Sequence, residues 1–399
     1  MTALTPALLA ALEDAAAWQL PLYEDLHAHP ELSMQEERTR EVIRGQLERA
    51  GYAVQEIGGG VVGVLENGPG RTALFRADMD ALPVTEESGV PYASVEAGRM
   101  HACGHDMHVT AGLGAARLLA EHREDWQGTY VALFQPGEEV AAGARAMVEA
   151  GLADAIPRLD VCLGQHVLAS PVSGRVAIAP GPVMSTAASA RVTVFGAGSH
   201  GSMPHLGVDP VVLASSIVLR LQTLVSRETA PGDFGVVTVG SVQAGSTANI
   251  IPDRATLLLN FRAYSEEVLE HLIAGAERII RAECTASRSP RAPEIEVRDR
   301  FPLTENDEAV TEVVRAALIE QLGEENVEVM ETVTASEDFT VVPRALGVPS
   351  CYWGVGGFPE GGPTFPNHSP HFAPVPQPTL RTGTLAALTA VLGSLHEPA

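Results

Sequence analysis

The chain contains no lysine. All 26 basic residues are arginine, set against 50 acidic ones, which leaves a formal net charge of −24. Without lysine there is no side-chain amine for Schiff-base or pyridoxal-phosphate chemistry, and no lysine for a phosphate-binding loop. The scarcity of positive charge also argues against a nucleic-acid or anionic-membrane partner, because either needs a basic face. Cysteine is sparse. Cys103, Cys162, Cys284 and Cys351 stand far apart with no CxxC, so neither a disulfide scaffold nor a zinc ribbon fits. No apolar run approaches the roughly 20 residues that span a bilayer. No basic residue precedes Arg38, and the opening residues read as an acidic helix with Glu13 and Asp14, which is unlike a signal peptide. A soluble protein of a reducing, cytoplasmic setting is expected.

At 399 residues, with 45% apolar and 19% charged, the chain is globular and long enough for two domains. Helical spacing of Leu8, Leu9, Leu12, Ala16 and Leu20 predicts a helix over residues 5–28. Ser33 followed by Glu36 reads as a capping box for a second helix ending near Ala50. Strands are predicted at 61–66, 72–78, 129–135 and 159–167, with helices at 106–122 and 141–150 between them. This alternation predicts an α/β fold whose ligand groups gather at strand ends. The texture changes near Pro180-Gly181-Pro182. Strands at 191–195, 235–243 and 255–263 and helices at 210–228 and 266–282 predict a smaller α+β unit inserted into the first. Ser287-Arg288-Ser289-Pro290-Arg291 reads as the return linker. The expected division is residues 1–182 with 292–399 as one domain and 183–291 as the other. After the return, a helix is predicted at 305–322, a strand near 348–355 and a last helix at 379–395. The stretch Gly354–Pro378 holds Asn367-His368-Ser369-Pro370-His371 and is too long for an idle connection, so it reads as a functional loop.

Ligand-type residues fall at four places. Met100–His108, reading M-H-A-C-G-H-D-M-H, packs three histidines, a cysteine and an aspartate into nine residues. Phe134–Glu139, reading F-Q-P-G-E-E, delivers Glu138 and Glu139 just past a predicted strand. His166 closes the predicted strand at 159–167, and His368 sits in the long loop. Thiolate, imidazole and carboxylate are the metal-binding side chains. Together, Cys103, His105, Glu139, His166 and His368 could hold two ions about 3.5–4 Å apart, the arrangement of two-metal hydrolases. A shared ligand must be anionic, and Cys103 is the candidate nearest the cluster. Adjacent glutamates point differently, so one can bind metal while the other serves as a base. A cysteine-nucleophile hydrolase using Cys103 is a rival, but it leaves Glu138, Glu139 and His368 unused. A metal-binding protein without activity is a second rival. Gly196–Gly201 also matches G-x-G-x-x-G, but Pro204 stands where the phosphate-binding helix should be established, which argues against a dinucleotide-binding oxidoreductase.

The motifs F-R-A-D-M-D-A-L-P, M-H-A-C-G-H-D-M-H, P-G-E-E, G-Q-H-V, G-S-H-G-S-M-P-H, T-A-N-I-I-P-D and S-E-D-F follow one another in the order and spacing of the M20 metallopeptidases. The chain most resembles the branch of hippurate hydrolases, N-acyl-amino-acid amidohydrolases and auxin-conjugate hydrolases. The likeness runs from His29-Pro30-Glu31-Leu32 to His368. It implies an α/β catalytic domain with two divalent ions (zinc or manganese, with cobalt or nickel possible) and an inserted dimerisation or lid domain. Cys103 would bridge the ions, with His105 and His166 completing one site and Glu139 and His368 the other. Glu138 would be the general base, with Asp80 and His200 as further catalytic residues. His200 would reach the neighbouring subunit's site and stabilise the oxyanion. Asp78, Asp80 and Asp106 would stand behind the ligand histidines, and Asn249 and Arg262 would bind substrate. The implied activity is hydrolysis of N-acyl amino acids by a homodimer or a dimer of dimers, water being activated by the metal pair; a carboxypeptidase or dipeptidase acting on short peptides is the alternative. Two local departures from the branch are the Val-Ala-Ala-Gly run after Glu139 and the proline-rich stretch after His371-Phe372.

Overall fold

The computed structural model of the chain describes residues 4–396. It divides into two compact units, one formed by the described residues up to Val183 with Glu305–Glu331 and Asp338 onward, the other by Met184–Thr304 with Thr332–Glu337.

The first unit is built on an eight-stranded mixed sheet. Its strands run in the order Ala53–Ile57, Gly60–Asn67, Gly128–Gln135, Thr72–Asp78, Val161–Val172, Ser350–Phe358, Val176–Ile178 and Val327–Val329. Thr72–Asp78 lies parallel to both neighbours, and all seven of its residues are buried. A continuous run of buried residues is what a central parallel strand covered on both faces requires. Helices Pro6–Ala28, Glu37–Arg49, His105–Glu121, Glu308–Leu322 and Pro376–Leu395 pack together over this sheet. Their apolar faces share one core with Phe75, Tyr130, Phe134 and Trp353 from the strands. Among the described residues no helix is long and apolar enough to cross a membrane.

Several expectations shift. The strand carrying His166 does not close there; it runs on to Val172, leaving His166 mid-strand. The expected capping box is not formed: Glu37–Arg49 has no side-chain hydrogen bond at its N-cap. Glu31 takes that task instead, its carboxylate accepting the Arg38 and Thr39 N–H groups at 3.0 and 2.8 Å.

The second unit is a four-stranded antiparallel sheet in the order Gly235–Ala244, Arg254–Ala263, Thr186–Phe195, Glu294–Phe301. Helices Pro210–Thr223 and Glu266–Ala286 pack on it. Asp209 and Ser265 cap those helices, accepting Val211 and Val268 N–H. Glu294–Phe301 is a strand the sequence reading missed. It pairs with Thr186–Phe195, so the second unit continues past Ser287–Arg291 to Thr304.

Candidate metal centre

Gly104 explains how two donors so close in sequence come to face one place. It lies at φ 85, in the left-handed region, and a Cβ there would come within 2.3 Å of Val167 Cγ1. The turn it allows ends on Cys103 and starts helix His105–Glu121 on His105. The glutamates arrive by a similar device. Gly137, at φ 55, starts a single 3₁₀ turn, Glu138–Val140, after the strand Gly128–Gln135. His368 is itself left-handed, at φ 69, an uncommon conformation for a residue with a side chain, and its N–H is tied to Ala102 O at 2.8 Å.

The five expected ligands do come together. Cys103 Sγ lies 3.5 Å from His166 Nε2. Donor atoms of Cys103, Glu139 and His368 lie within 4.8 Å of one another, as do those of His105, Glu138 and Glu139. The Glu139 carboxylate spans the site, with Oε2 3.3 Å from His368 Nε2 and Oε1 3.9 Å from His105 Nε2. Cys103 is therefore near both His166 and the Glu139–His368 pair. Glu138 is buried beside them.

Hydrogen bonds behind the ligands fix their orientation. His105 Nδ1 donates to Asp80 Oδ1 at 3.1 Å, and His166 Nδ1 donates to Val167 O at 2.8 Å, so both rings turn Nε2 toward the cluster. Asp80 Oδ2 also accepts the Glu139 N–H at 3.1 Å. Asp78 sits behind His108, whose Nδ1 donates to Oδ1 at 2.5 Å while its Nε2 accepts the Val167 N–H at 2.8 Å. His108 is thereby satisfied on both nitrogens and holds the backbone next to His166. Asn367, beside His368, donates to Val167 O and to Cys103 O.

A test of fit is whether buried donors lack partners. His105 Nε2 and Glu139 Oε1 are both buried without a hydrogen-bond partner, and they face each other across 3.9 Å. Two lone-pair atoms left so in a protein interior are what a bound cation would satisfy. The set of one thiolate sulfur, imidazole nitrogens and carboxylate oxygens suits two divalent ions. The charges agree. Burial opposes charge on His105, but Asp78, Asp80 and Cys103 outweigh it and hold its pKa well above the ordinary value. Cys103 and Glu139 raise His368 to about 10. A divalent ion would take the place of those protons. Burial beside His108 keeps His166 neutral.

Other expected residues lie elsewhere. Asp106 does not stand behind a ligand; its Oδ2 pairs with His27 Nδ1 at 2.7 Å, and His27 reaches Glu86 at 3.1 Å. His101 is not among the gathered donors, and burial pushes it down to about 4. His200 and Asn249 belong to the second unit, where the ladder of Ser199–His200 with Ile250–Ile251 brings them together and Gly201 N donates to Asn249 O at 2.8 Å. His200 Nδ1 accepts the Ser202 N–H at 3.1 Å, which leaves Nε2 as its donor nitrogen. Arg262, in that same unit, is engaged by Asn260 Oδ1, Thr334 O and Ser336 Oγ. The sequence reading missed Arg76, buried in strand Thr72–Asp78, which donates to Asp78 Oδ2, Gln135 Oε1 and Asp338 Oδ1 at 2.6, 2.9 and 3.1 Å. An arginine inside an apolar strand, with aspartate two residues on, was the available signal.

Comparison with known proteins agrees with this picture. Residues 74–392 match the model of peptidase family M20/M25/M40. The chain is 35% identical over 368 residues to the IAA-amino acid hydrolase ILR1-like 4 of Arabidopsis thaliana, covering 91% of this chain and 83% of that one. It is 35% identical over 341 residues to the N-acetyl-L-cysteine deacetylase of Bacillus subtilis, covering 83% and 79%. The crystal structure of the Bacillus subtilis YXEP protein, described as a dinuclear metal binding peptidase from the M20 family, superposes with a TM-score of 0.78 at 27% identity, covering 96% and 99%.

Proposed function

Because the chain belongs to the M20/M25/M40 peptidase family of metal-dependent hydrolases, we propose that it cleaves the amide bond of N-acyl amino acids, releasing a carboxylic acid and a free amino acid. The observation that carries this reading is a buried carboxylate, Glu138, next to a five-donor cluster whose His105 and Glu139 atoms lack partners. Two divalent ions bound there would supply Lewis acidity toward water and toward the amide carbonyl. Zinc suits the thiolate and imidazole donors, manganese the carboxylate, and cobalt or nickel the same geometry.

The residues of the chain supply the rest. Glu138 takes a proton from the attacking water and returns it to the amide nitrogen as the C–N bond breaks. Asp80 holds the ring of His105 and the N–H of Glu139, keeping that ligand pair in register with the base. His200, with Nε2 as its donor, hydrogen-bonds the oxyanion that develops on the carbonyl. Asn249 binds the substrate beside it, and Arg262 grips the free carboxylate with the part of its fork that Thr334 and Ser336 leave open.

The second unit serves as a dimerisation and lid domain. Strand Gly235–Ala244 is a sheet edge, and helix Pro210–Thr223 exposes Val212 at 62% and Leu219 at 72%. An unpaired edge beside an apolar helix face fits a second copy of the chain, and a homodimer would bring His200 to the neighbouring subunit's site.

The test is hydrolysis of a panel of acetyl, benzoyl and indole-acetyl amino acids alongside dipeptides, before and after chelation. Cleavage of N-acyl amino acids that chelator abolishes and added metal restores is expected. Cleavage of dipeptides alone would make the protein a peptidase, and cleavage insensitive to chelator would remove the metal from the reaction.

A further inference from the structure

Two residues well upstream of the cluster tie its separate parts together. Ser33 Oγ donates to Asp80 Oδ2 at 2.7 Å. That carboxylate also accepts His105 Nδ1 and Glu139 N–H. Glu36 Oε1 accepts two N–H groups, Met34 at 2.9 Å and Gly137 at 2.8 Å, the second 101 residues further along the chain. Gly137 is the residue at which the backbone turns left-handed to present Glu138 and Glu139. Met34, left-handed as well at φ 63, lies so close that a Cβ on Gly137 would come within 2.5 Å of its sulfur.

The side chains of Ser33 and Glu36 make no hydrogen bond to the helix that follows them, since the Glu31 carboxylate accepts its first free N–H groups. Glu36 is only 2% exposed. A carboxylate so placed is expensive to desolvate and is kept for what it holds. The two N–H groups that Oε1 accepts belong to left-handed residues, one within its own segment and one at the entry to the glutamate turn.

We propose that Glu36 and Ser33 are positioning residues of the catalytic centre: Glu36 locks the backbone that presents Glu138 and Glu139, and Ser33, through Asp80, locks the ring of His105. Neither touches substrate. The part of this inference that concerns turnover rests on Glu138 as the base; the part that concerns the turn and the ligand does not.

The test compares Glu36→Ala, Glu36→Gln and Ser33→Ala with the wild-type protein. It uses hydrogen exchange of the amides from Gln135 to Ala142, zinc affinity by equilibrium dialysis, and kcat and KM on any substrate the wild type turns over. Glu36→Ala leaves the Gly137 N–H without its acceptor, so exchange at the turn should rise about tenfold. Its kcat should fall by a similar factor while KM stays within about threefold, as expected for an interaction that matters in the transition state. Glu36→Gln keeps an acceptor oxygen and should restore both. Ser33→Ala should weaken zinc binding about tenfold and leave exchange at the turn unchanged. Wild-type exchange and kcat in Glu36→Ala would overturn the proposal for Glu36, as would a Glu36→Gln protein no better than Glu36→Ala. A Ser33→Ala protein with wild-type zinc affinity would overturn it for Ser33. If the wild type cleaves no N-acyl amino acid, the proposed function fails, and exchange and zinc affinity still decide this inference.

Discussion

Replacing Arg76 by leucine should destabilise the first unit by about 3 kcal/mol. The guanidinium sits between two buried carboxylates, 2.6 Å from Asp78 and 3.1 Å from Asp338, and also donates to Gln135. Leucine removes all three bonds and leaves two buried acids without their shared cation. Breaking a buried pair by removing one partner costs roughly 3–5 kcal/mol. Asp78 keeps His108 at 2.5 Å and Asp338 keeps Gln135 Nε2 at 2.6 Å, which places the loss near the lower end. The pH dependence has a definite sign. Burial opposes ionisation of Asp78, but His105, Arg76 and His108 outweigh it and hold its carboxyl well below the usual range. A depressed carboxyl contributes stability that is present above its unfolded pKa and lost as pH falls. Without Arg76, Asp78 takes up a proton more readily in the folded state, so the gap between wild type and Arg76→Leu should narrow as the medium is made acidic. Urea unfolding under chelator, followed by tryptophan fluorescence, measures it, because Trp18, Trp126 and Trp353 all lie in the first unit. A gap below about 1 kcal/mol near neutrality, the value of an exposed ion pair, would refute the reasoning.

Other outcomes follow from single contacts. Burial opposes charge on His27, but Asp106 and Glu86 outweigh it and raise its pKa to about 10. A raised histidine gives stability that is complete below the unfolded pKa of about 6.5 and lost as pH climbs toward the folded value. The denaturant midpoints of wild type and His27→Asn should therefore converge between those limits; a constant separation would contradict the pairing. Gly104→Ala should weaken zinc binding by tenfold or more, since φ 85 and the 2.3 Å approach to Val167 force the turn between Cys103 and His105 to move; unchanged affinity by equilibrium dialysis would show that the turn tolerates a Cβ. If the wild type sediments as the proposed dimer, Leu219→Asp should sediment as a monomer with metal content intact; a monomeric wild type would contradict the proposed dimer, and a dimeric Leu219→Asp would contradict the proposed interface.

The sequence was most informative where structure is local and apolar. Thr72–Asp78 is read to the residue because every position is buried, and the donors of Cys103 and His105 lie within three consecutive residues. What it concealed depends on distant partners. Ser33 and Glu36 have the spacing of a capping box, yet their partners, Asp80 and Gly137, lie elsewhere in the chain, and only the fold brings them near. Asp106 sits next to a ligand but, on a helix, adjacent side chains point apart, so it faces His27. Edge strands were obscure for a different reason. Ala53–Ile57 is mostly exposed. In Glu294–Phe301, Ile295 and Val297 alternate with charged residues, and the prolines before them resemble a linker.

Metal content and turnover of Glu138→Gln and Cys103→Ala, measured beside wild type on one N-acyl amino acid, bear most directly on the site. Wild type should hold two ions per chain, and Cys103→Ala should lose metal. Glu138→Gln should keep both ions while its kcat falls by about 10²–10⁴, the usual worth of a positioned general base. Full turnover in Glu138→Gln, or both ions retained at full rate in Cys103→Ala, would contradict the roles assigned to those two residues.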